Sequence, residues 1–215
     1  MTINKKLCPA GLKNNPNKNL TAVKFITIHC TGNYSATAGA KSHADYVYNG
    51  SGGAQTSWHY TIDGSSIWQH FEDNQSCWHA GDGTTGPGNS TSIGLEICVN
   101  DKSAFKKSCE NAAWLTAELL KKHKLGIDAV VQHNKWSGKN CPAELRSGAW
   151  GVTWADFLAM VKKELNPPAP TPAPNPAPSM LYRVQVGAFS VKANAETLLT
   201  KLKAAGFGDS YVKSE

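Results

Sequence analysis

Three short apolar runs in the first two thirds of the chain have the composition of strands. They cover residues 23–30, 94–99 and 129–133. Short runs of β-branched and aliphatic residues bounded by polar or glycine positions are typical of strands. The pair Asp63-Gly64 separates two further runs, residues 58–63 and 66–70, and this turn pair predicts a hairpin.

Three other segments carry apolar residues at helical spacing. Residues 36–48 end at the glycine-rich hinge 50–53, where glycine permits backbone conformations that other residues avoid. The longest segment, residues 103–123, begins with Ser103 as a cap, and residues 153–165 begin with Thr153. Strands that alternate with helices, plus a hairpin, predict an α/β fold with a mixed central β-sheet flanked by helices.

Proline and alanine dominate residues 166–179. Such a composition is typical of a semi-rigid polyproline II spacer between two modules. Beyond it, the pattern predicts a strand over 181–190, a helix over 193–205 and a strand over 207–212. The predicted organisation is a large domain over residues 1–165, a linker over 166–179 and a small β-α-β segment over 180–215.

The most informative chemistry lies in residues 131–142 together with one upstream histidine. His133 and Cys141 flank a Trp-Ser-Gly-Lys loop, and His29 closes an apolar run. A lone strand-end histidine is more often a hydrogen-bonded residue, and a lone cysteine is more often a small buried hydrophobe. Both histidines, however, end predicted strands and so fall at the rim of the sheet. A thiolate and two neutral imidazoles are ligands that zinc prefers, and three protein ligands leave one position for water, so the trio predicts a catalytic Zn²⁺ site.

Five ordered blocks extend this pattern over residues 25–165. They are Ile28-His29-Cys30-Thr31-Gly32, Ser57-Trp58-His59-Tyr60, Trp78-His79-Ala80-Gly81, Thr91-Ser92-Ile93-Gly94-Leu95-Glu96-Ile97 and Gly138-Lys139-Asn140-Cys141-Pro142. Together they resemble the zinc-dependent N-acetylmuramoyl-L-alanine amidases of phage endolysins and bacterial autolysins, relatives of the peptidoglycan recognition proteins. The resemblance implies their mixed-sheet fold and hydrolysis of the bond between N-acetylmuramic acid and L-alanine. Cys30 departs from the pattern, since relatives often carry Asn there.

The resemblance also implies roles for residues around the metal. Alternation along the strand puts Glu96 on the polar face, where it is the expected general base. Lys139, in the Lys-x-Cys-Pro spacing, is expected to stabilise the oxyanion. The alternatives are a surface glutamate and a solvated lysine.

Four further residues are expected to line the cleft and bind substrate, and one of the two histidines among them is expected to orient the scissile carbonyl. They are Trp58, His59, Tyr60 and His79. For the two histidines, the alternative is a hydrogen-bonded strand residue without a substrate role.

The block Val-Gln-Val-Gly-Ala-Phe at residues 184–189, with the helix predicted after it, resembles the opening half of a SPOR domain, which binds glycan strands that lack stem peptides. A complete domain of that kind has a second strand-helix-strand unit, and about 35 residues rarely bury enough apolar surface alone. Truncation, poor order and pairing with a second copy stay open. We expect a homodimer through exchanged tails, because an unpaired strand edge is a template for strand addition.

Net charge and composition indicate the class of partner and the compartment in which the chain is made. The net charge of +6 suits an anionic partner, and wall teichoic acid fits the resemblance better than nucleic acid, since no basic run or aromatic-basic platform is present. No apolar run approaches the ~18 residues of a membrane span, and the start at Met1 lacks a signal-peptide pattern. We therefore expect synthesis in the cytoplasm and release through a holin-like pore or lysis. The six cysteines lack the paired spacing of a disulfide framework, so most are expected to be reduced.

Two rival functions share these features. One is a non-catalytic peptidoglycan receptor on the same fold, against which Cys141 argues, because the resemblance implies that pure recognition modules lack this cysteine. The other is a zinc carboxypeptidase or endopeptidase that cuts within the stem peptide. The sequence does not separate that enzyme from an amidase, and it does not identify the target species or stem-peptide type.

Overall fold

A computed structural model describes residues 1–166 and 184–214. The chain divides into two compact units, Met1–Ala169 and Pro170–Glu215. The first unit is built on a six-stranded sheet with the order β1-β4-β3-β5-β2-β6. Its strands are β1 (Ile3–Lys5), β2 (Phe25–Cys30), β3 (Tyr60–Ile62), β4 (Ile67–Gln69), β5 (Ser92–Ile97) and β6 (Val130–Gln132).

The sheet is mixed, as predicted. Strands β3 and β4 form the predicted antiparallel hairpin, while β2 is parallel to both of its neighbours, β5 and β6. The register between β2 and β5 pairs Ile28 with Leu95 and His29 with Glu96. Two predicted site residues are therefore set side by side by backbone pairing alone.

Helices of the first unit flank this sheet. They are α1 (Ala40–Tyr48), α2 (Pro87–Thr91), α3 (Phe105–His123), α4 (Asn134–Ser137), α5 (Ala143–Ser147) and α6 (Trp154–Leu165). The second unit contains α7 (Lys192–Ala204). The main core joins α3 and α6 to one face of the sheet through fully buried residues such as Ile26, Leu95, Leu115 and Phe157. Burying a side chain of this size stabilises the fold by about 1.5–3 kcal/mol. The predicted α/β architecture is confirmed.

Local sequence signals predict the start of helix α6 correctly but not the start of helix α3. Thr153 caps α6 as predicted: its hydroxyl accepts from the Asp156 amide at 3.1 Å, and the Asp156 carboxylate accepts from the Thr153 amide at 2.9 Å. The predicted Ser103 cap of α3 is wrong. The helix begins at Phe105, and Asp101 accepts from the Ser103 amide at 2.8 Å, because an aspartate readily bonds the backbone two residues on.

The predicted β-α-β arrangement of the second unit is found only in part. Helix α7 matches the predicted helix, but residues 184–190 and 207–212 form no strand in the described part of the chain. A strand requires a partner for its backbone amides and carbonyls, and none of the described residues supplies one here. The beginning of the first predicted strand, residues 181–183, lies outside the described residues.

All six cysteines lie in the described part of the first unit and are free thiols, in agreement with the expectation of reduced cysteines. Among the described residues, none of the helices combines the length and apolarity that crossing a bilayer requires.

Candidate metal centre

The site lies where parallel strands end. His29 is the fifth residue of β2, and its side chain points away from the face that packs on α3 and α6, to which Ile28 and Cys30 belong. His133 directly follows β6, the other neighbour of β2. Cys141 precedes α5, and its backbone carbonyl accepts from the Asn134 amide at 3.0 Å, which closes the intervening loop. The three predicted ligands are thus brought together.

The three side chains lie close enough together to hold a metal ion. Nδ1 of His29 lies 3.0 Å from Nδ1 of His133 and 3.9 Å from Sγ of Cys141, and all three ligand atoms lie within 4.8 Å of one another. Zinc bonds of about 2.0–2.1 Å to nitrogen and about 2.3 Å to sulfur place tetrahedral ligands roughly 3.3–3.6 Å apart. The observed separations lie on either side of those values, and all three residues are buried.

The other ring nitrogens of the two histidines are also engaged. Nε2 of His29 lies 3.0 Å from Nδ1 of His79, and Nε2 of His133 lies 3.0 Å from the carbonyl oxygen of Ala80. A histidine that ligates a metal through one nitrogen almost always donates its other N–H to such an acceptor. Both imidazoles are therefore oriented with Nδ1 toward the shared centre.

Burial keeps these ligands neutral in the absence of a cation. Burial and the neighbouring His79 and His133 hold the pKa of His29 well below its usual range, and burial also lowers the pKa of His133. Neutral imidazoles offer the lone pair that a metal needs. Burial raises the pKa of the Cys141 thiol to about 12, so this thiol becomes a ligand only when a bound cation stabilises its thiolate.

Glu96 faces the same centre. One carboxylate oxygen lies 3.8 Å from Nδ1 of His29, while the other is buried and has no hydrogen-bond partner among the described residues. Burial raises the pKa of Glu96 to about 8, and the charge of Lys139 acts in the opposite direction. A buried carboxyl with a free oxygen is unusual in a structural role, since buried polar groups are normally paired.

Lys139 is exposed, two residues before Cys141. It lies close enough for its charge to lower the pKa of His29, of His133 and of Glu96. Its positive charge therefore acts on the polar centre.

Three predicted substrate-binding residues are buried. His59 is fully buried, with Nε2 donating to the Gln75 carbonyl at 2.8 Å and Nδ1 accepting from the Gly94 amide at 3.0 Å. Trp58 is buried in a smaller apolar cluster and donates to the Thr61 hydroxyl at 2.6 Å. Tyr60 belongs to the main core, and its hydroxyl donates to the Asp73 carboxylate. Each of the three side chains is covered and its polar atoms are already bonded, and the substrate-binding role of these residues stays a prediction.

His79 does belong to the site, in a different position from the one expected. It is 7% exposed, with its ring between His29 and the carbonyl oxygen of Ser92, which lies 3.4 Å from Nε2. The ring packs directly on Gly94, where an added Cβ would lie only 2.8 Å from the imidazole. A single glycine inside a strand marks such a close approach, and this signal in residues 92–97 was available from the sequence.

A buried histidine on this side of the sheet predicts acid-sensitive stability. Burial lowers the pKa of His70 to about 3, against 6.5 in the unfolded chain. The stability tied to neutral His70 is fully present above pH 6.5. It is lost as the pH falls toward 3, because only the unfolded chain takes up the proton in that interval.

We expect the unfolding free energy of the His70→Asn variant to fall less steeply than that of the parent between pH 6.5 and 4. The two slopes should differ by up to about 1.4 kcal/mol per pH unit. Denaturant unfolding followed by tryptophan fluorescence measures this, because every tryptophan lies in the first unit. Parallel pH profiles for the parent and the variant would contradict the assignment.

Comparison with known proteins decides the family. The family model described as N-acetylmuramoyl-L-alanine amidase matches residues 19–144, which include His29, Glu96, His133 and Cys141. The chain belongs to the N-acetylmuramoyl-L-alanine amidase family. A SPOR domain model matches residues 178–215.

Relatives of the amidase family agree with this assignment. The chain is 41% identical to the N-acetylmuramoyl-L-alanine amidase CwlH of Bacillus subtilis over 171 residues and 42% identical to XlyA of the same organism over 151 residues. These alignments cover 80% and 70% of this chain but 65% and 48% of the relatives, so the chain spans about half to two thirds of their length.

The first unit is similar to two solved catalytic domains. The catalytic domain of XlyA superposes with a TM-score of 0.67 at 40% identity, over 75% of this chain and 99% of that domain. The PlyG catalytic domain gives a TM-score of 0.67 at 29% identity, over 80% of this chain and all of that domain. The mixed sheet with flanking helices is therefore the family's fold.

Proposed function

We propose that this chain hydrolyses the amide bond between N-acetylmuramic acid and the L-alanine of the peptidoglycan stem peptide, and so degrades the bacterial cell wall. The observation that carries the proposal is the convergence of His29, His133 and Cys141 beside the partly buried Glu96. A module for recognition alone has no need of a soft metal-ligand trio next to a carboxyl with a raised pKa.

We infer that Zn²⁺ is held by Nδ1 of His29, Nδ1 of His133 and Sγ of Cys141. Two nitrogens and one sulfur form a donor set suited to zinc, and the outward ring nitrogens are already satisfied. Zinc bound in this way supplies a water of lowered pKa and polarises the scissile carbonyl.

Glu96 is proposed to act as the general base. One of its carboxylate oxygens lies 3.8 Å from Nδ1 of His29 and the other is buried without a partner among the described residues, so a water placed there would satisfy it. A pKa raised toward neutrality by burial suits a group that takes a proton from water and returns it to the leaving amine.

Lys139 is proposed to stabilise the negative charge that develops on the carbonyl oxygen. Lys139 follows α4 in the loop that also carries Cys141, so one backbone segment positions both the ammonium group and the thiolate ligand. A cation held near a developing oxyanion lowers the barrier by several kcal/mol.

Mass analysis of digested peptidoglycan tests the proposal. We expect new free amino termini on L-alanine only, with intact stem peptides and intact glycan strands, and no such termini after digestion with Glu96→Ala. New termini or losses within the stem peptide would instead identify the endopeptidase or carboxypeptidase, and unchanged peptidoglycan would identify the receptor.

We further propose that the second unit binds glycan strands and pairs with a second copy of itself. Its support is the match of residues 178–215 to the SPOR model and the exposure of apolar side chains, with Val186 60%, Phe207 62% and Tyr211 63% exposed. Residues 184–190 and 207–212 belong to no strand ladder in the described structure, and beyond the amides of Phe207 and Ser210, which donate to the carbonyls of Leu202 and Phe207, their backbone favours strand addition from another copy.

Sedimentation at tens of micromolar is expected to give a dimer for the full chain and a monomer for the Phe207→Asp variant. Thr200→Asp, an equally charged change on the exposed surface of α7, is the control and should remain dimeric. Deleting residues after Pro167 should leave activity on soluble fragments and weaken activity on whole walls. A monomeric full chain would contradict the pairing.

A further inference from the structure

The orientation of both ligand histidines depends on two adjacent residues of one loop. Nδ1 of His79 lies 3.0 Å from Nε2 of His29, and the carbonyl oxygen of Ala80 lies 3.0 Å from Nε2 of His133. The imidazole of His79 is itself positioned by Ser92, whose carbonyl oxygen lies 3.4 Å from Nε2. One side chain and one carbonyl therefore set the direction in which both Nδ1 atoms point.

A single carboxamide holds these two residues. Oδ1 of Asn89 accepts from the backbone amide of His79 at 2.9 Å and from that of Ala80 at 2.8 Å. Asn89 is 2% exposed, so these bonds are shielded from competition by water. Its position on α2 places it ten residues beyond His79 along the chain.

Three further hydrogen bonds hold Asn89 in place. Its Nδ2 donates to the Gly83 carbonyl at 3.1 Å, its amide donates to Asp82 at 3.2 Å, and its carbonyl accepts from the Ser76 hydroxyl at 2.8 Å. Asp82 also accepts from the Gly88 amide at 2.6 Å. The Asn89 carboxamide therefore links this hydrogen-bonded loop to His79 and Ala80, the two residues that orient the ligand histidines.

We propose that Asn89 is a positioning residue for the metal centre, acting through His79 and Ala80 on the two ligand histidines. It touches neither substrate nor metal. Removing its side chain leaves two backbone amides without an acceptor, so residues 79–80 shift and both imidazoles lose their fixed orientation. Outer partners of this kind typically change metal affinity by about 10–100-fold when removed.

Zinc affinity of the full chain, without peptidoglycan, tests this. The probe is Zn²⁺ in competition with a chromophoric chelator, and the thiolate-to-cobalt absorption of the Co²⁺ form reports the coordination geometry. We expect Asn89→Ala to bind zinc about 10–100-fold more weakly than the parent and to alter the cobalt spectrum. Asn89→Asp keeps an oxygen that accepts from both amides. Its zinc affinity should therefore stay within about tenfold of the parent's and exceed that of Asn89→Ala.

The matched control is Asn14→Ala. Asn14 is also buried and also joins two segments, donating to the Val47 carbonyl at 2.7 Å and to the Ser51 hydroxyl at 2.9 Å, but it lies outside the metal site. It should lower the unfolding midpoint and leave zinc affinity and the cobalt spectrum as in the parent. A merely structural Asn89 would behave in the same way as this control.

Asn89→Ser serves where Asn89→Ala does not fold, because its shorter hydroxyl reaches one amide at most, and the same loss of affinity is expected. Zinc affinity within about threefold of the parent in a folded variant that lacks the carboxamide overturns the inference.

The inference rests on the proposed function only through the metal. If the parent binds zinc but does not cut peptidoglycan, only the proposed function is wrong. If the parent and Asn89→Ala bind zinc with equal affinity, only this inference is wrong. A parent that does not bind zinc overturns both.

Discussion

Chelation is expected to abolish wall lysis by this chain, and added zinc is expected to restore it. The physical reason is that His29, His133 and Cys141 are the only three protein groups proposed to hold the ion, so each loss leaves an incomplete shell. Cys141→Ser and His133→Ala should each weaken zinc binding by at least about 100-fold and reduce lysis to background. Zinc content per chain and turbidity loss of a wall suspension measure the two effects.

The control for the thiol is Cys109→Ser, since Cys109 is fully buried in the main core and lies on α3, away from the site. It should bind one zinc per chain, whatever its cost in stability. Full activity of Cys141→Ser or His133→Ala would contradict the assignment of the ligands.

Loss of either proposed catalytic group should leave a folded, zinc-loaded protein with little turnover. We expect Glu96→Ala and Lys139→Ala to lose turnover by at least about 100-fold, the usual share of a general base or an oxyanion stabiliser. For Glu96 the reason is its unpartnered carboxylate oxygen on a side chain beside His29, and for Lys139 it is a positive charge that acts on the same centre. Turnover on soluble peptidoglycan fragments is the measurement.

Two controls keep this result interpretable. Zinc content and circular dichroism should match the parent, and Lys135→Ala, which removes an exposed lysine from the same segment, should leave turnover near the parental value. Near-parental turnover in Glu96→Ala would move the general-base role to another residue.

The elements that the sequence predicts well are those whose signal is local. The predominantly apolar runs that became β2, β5 and β6 each lie within a few consecutive residues, and the capping box of α6 lies within four residues. Strand β1 is missed because it is short and polar, and it exists through parallel pairing with β4, more than sixty positions away. Helix α1 begins at Ala40 rather than earlier, because Asp63 of the hairpin turn accepts from the Ala40 amide at 2.8 Å.

The same distinction holds within the site. His29, His133 and Cys141 could be predicted because their residue types and strand-end positions carry the chemistry. Trp58 and His59 could not be placed, because strand alternation gives the face but not what covers it, and here both faces of the sheet are buried. Asn89 gives no sequence signal, since its role depends on how one loop folds back on His79.

X-ray absorption at the zinc edge of the loaded full chain reports the ligands of the ion themselves. We expect one sulfur at about 2.3 Å and two imidazole nitrogens at about 2.0–2.1 Å, with a light atom completing the shell. In Cys141→Ser the sulfur contribution should disappear, while in Cys30→Ser, the neighbouring buried thiol, it should remain. A zinc shell without sulfur in the parent, or one that loses its sulfur in Cys30→Ser, would contradict the assignment of His29, His133 and Cys141 as the metal centre.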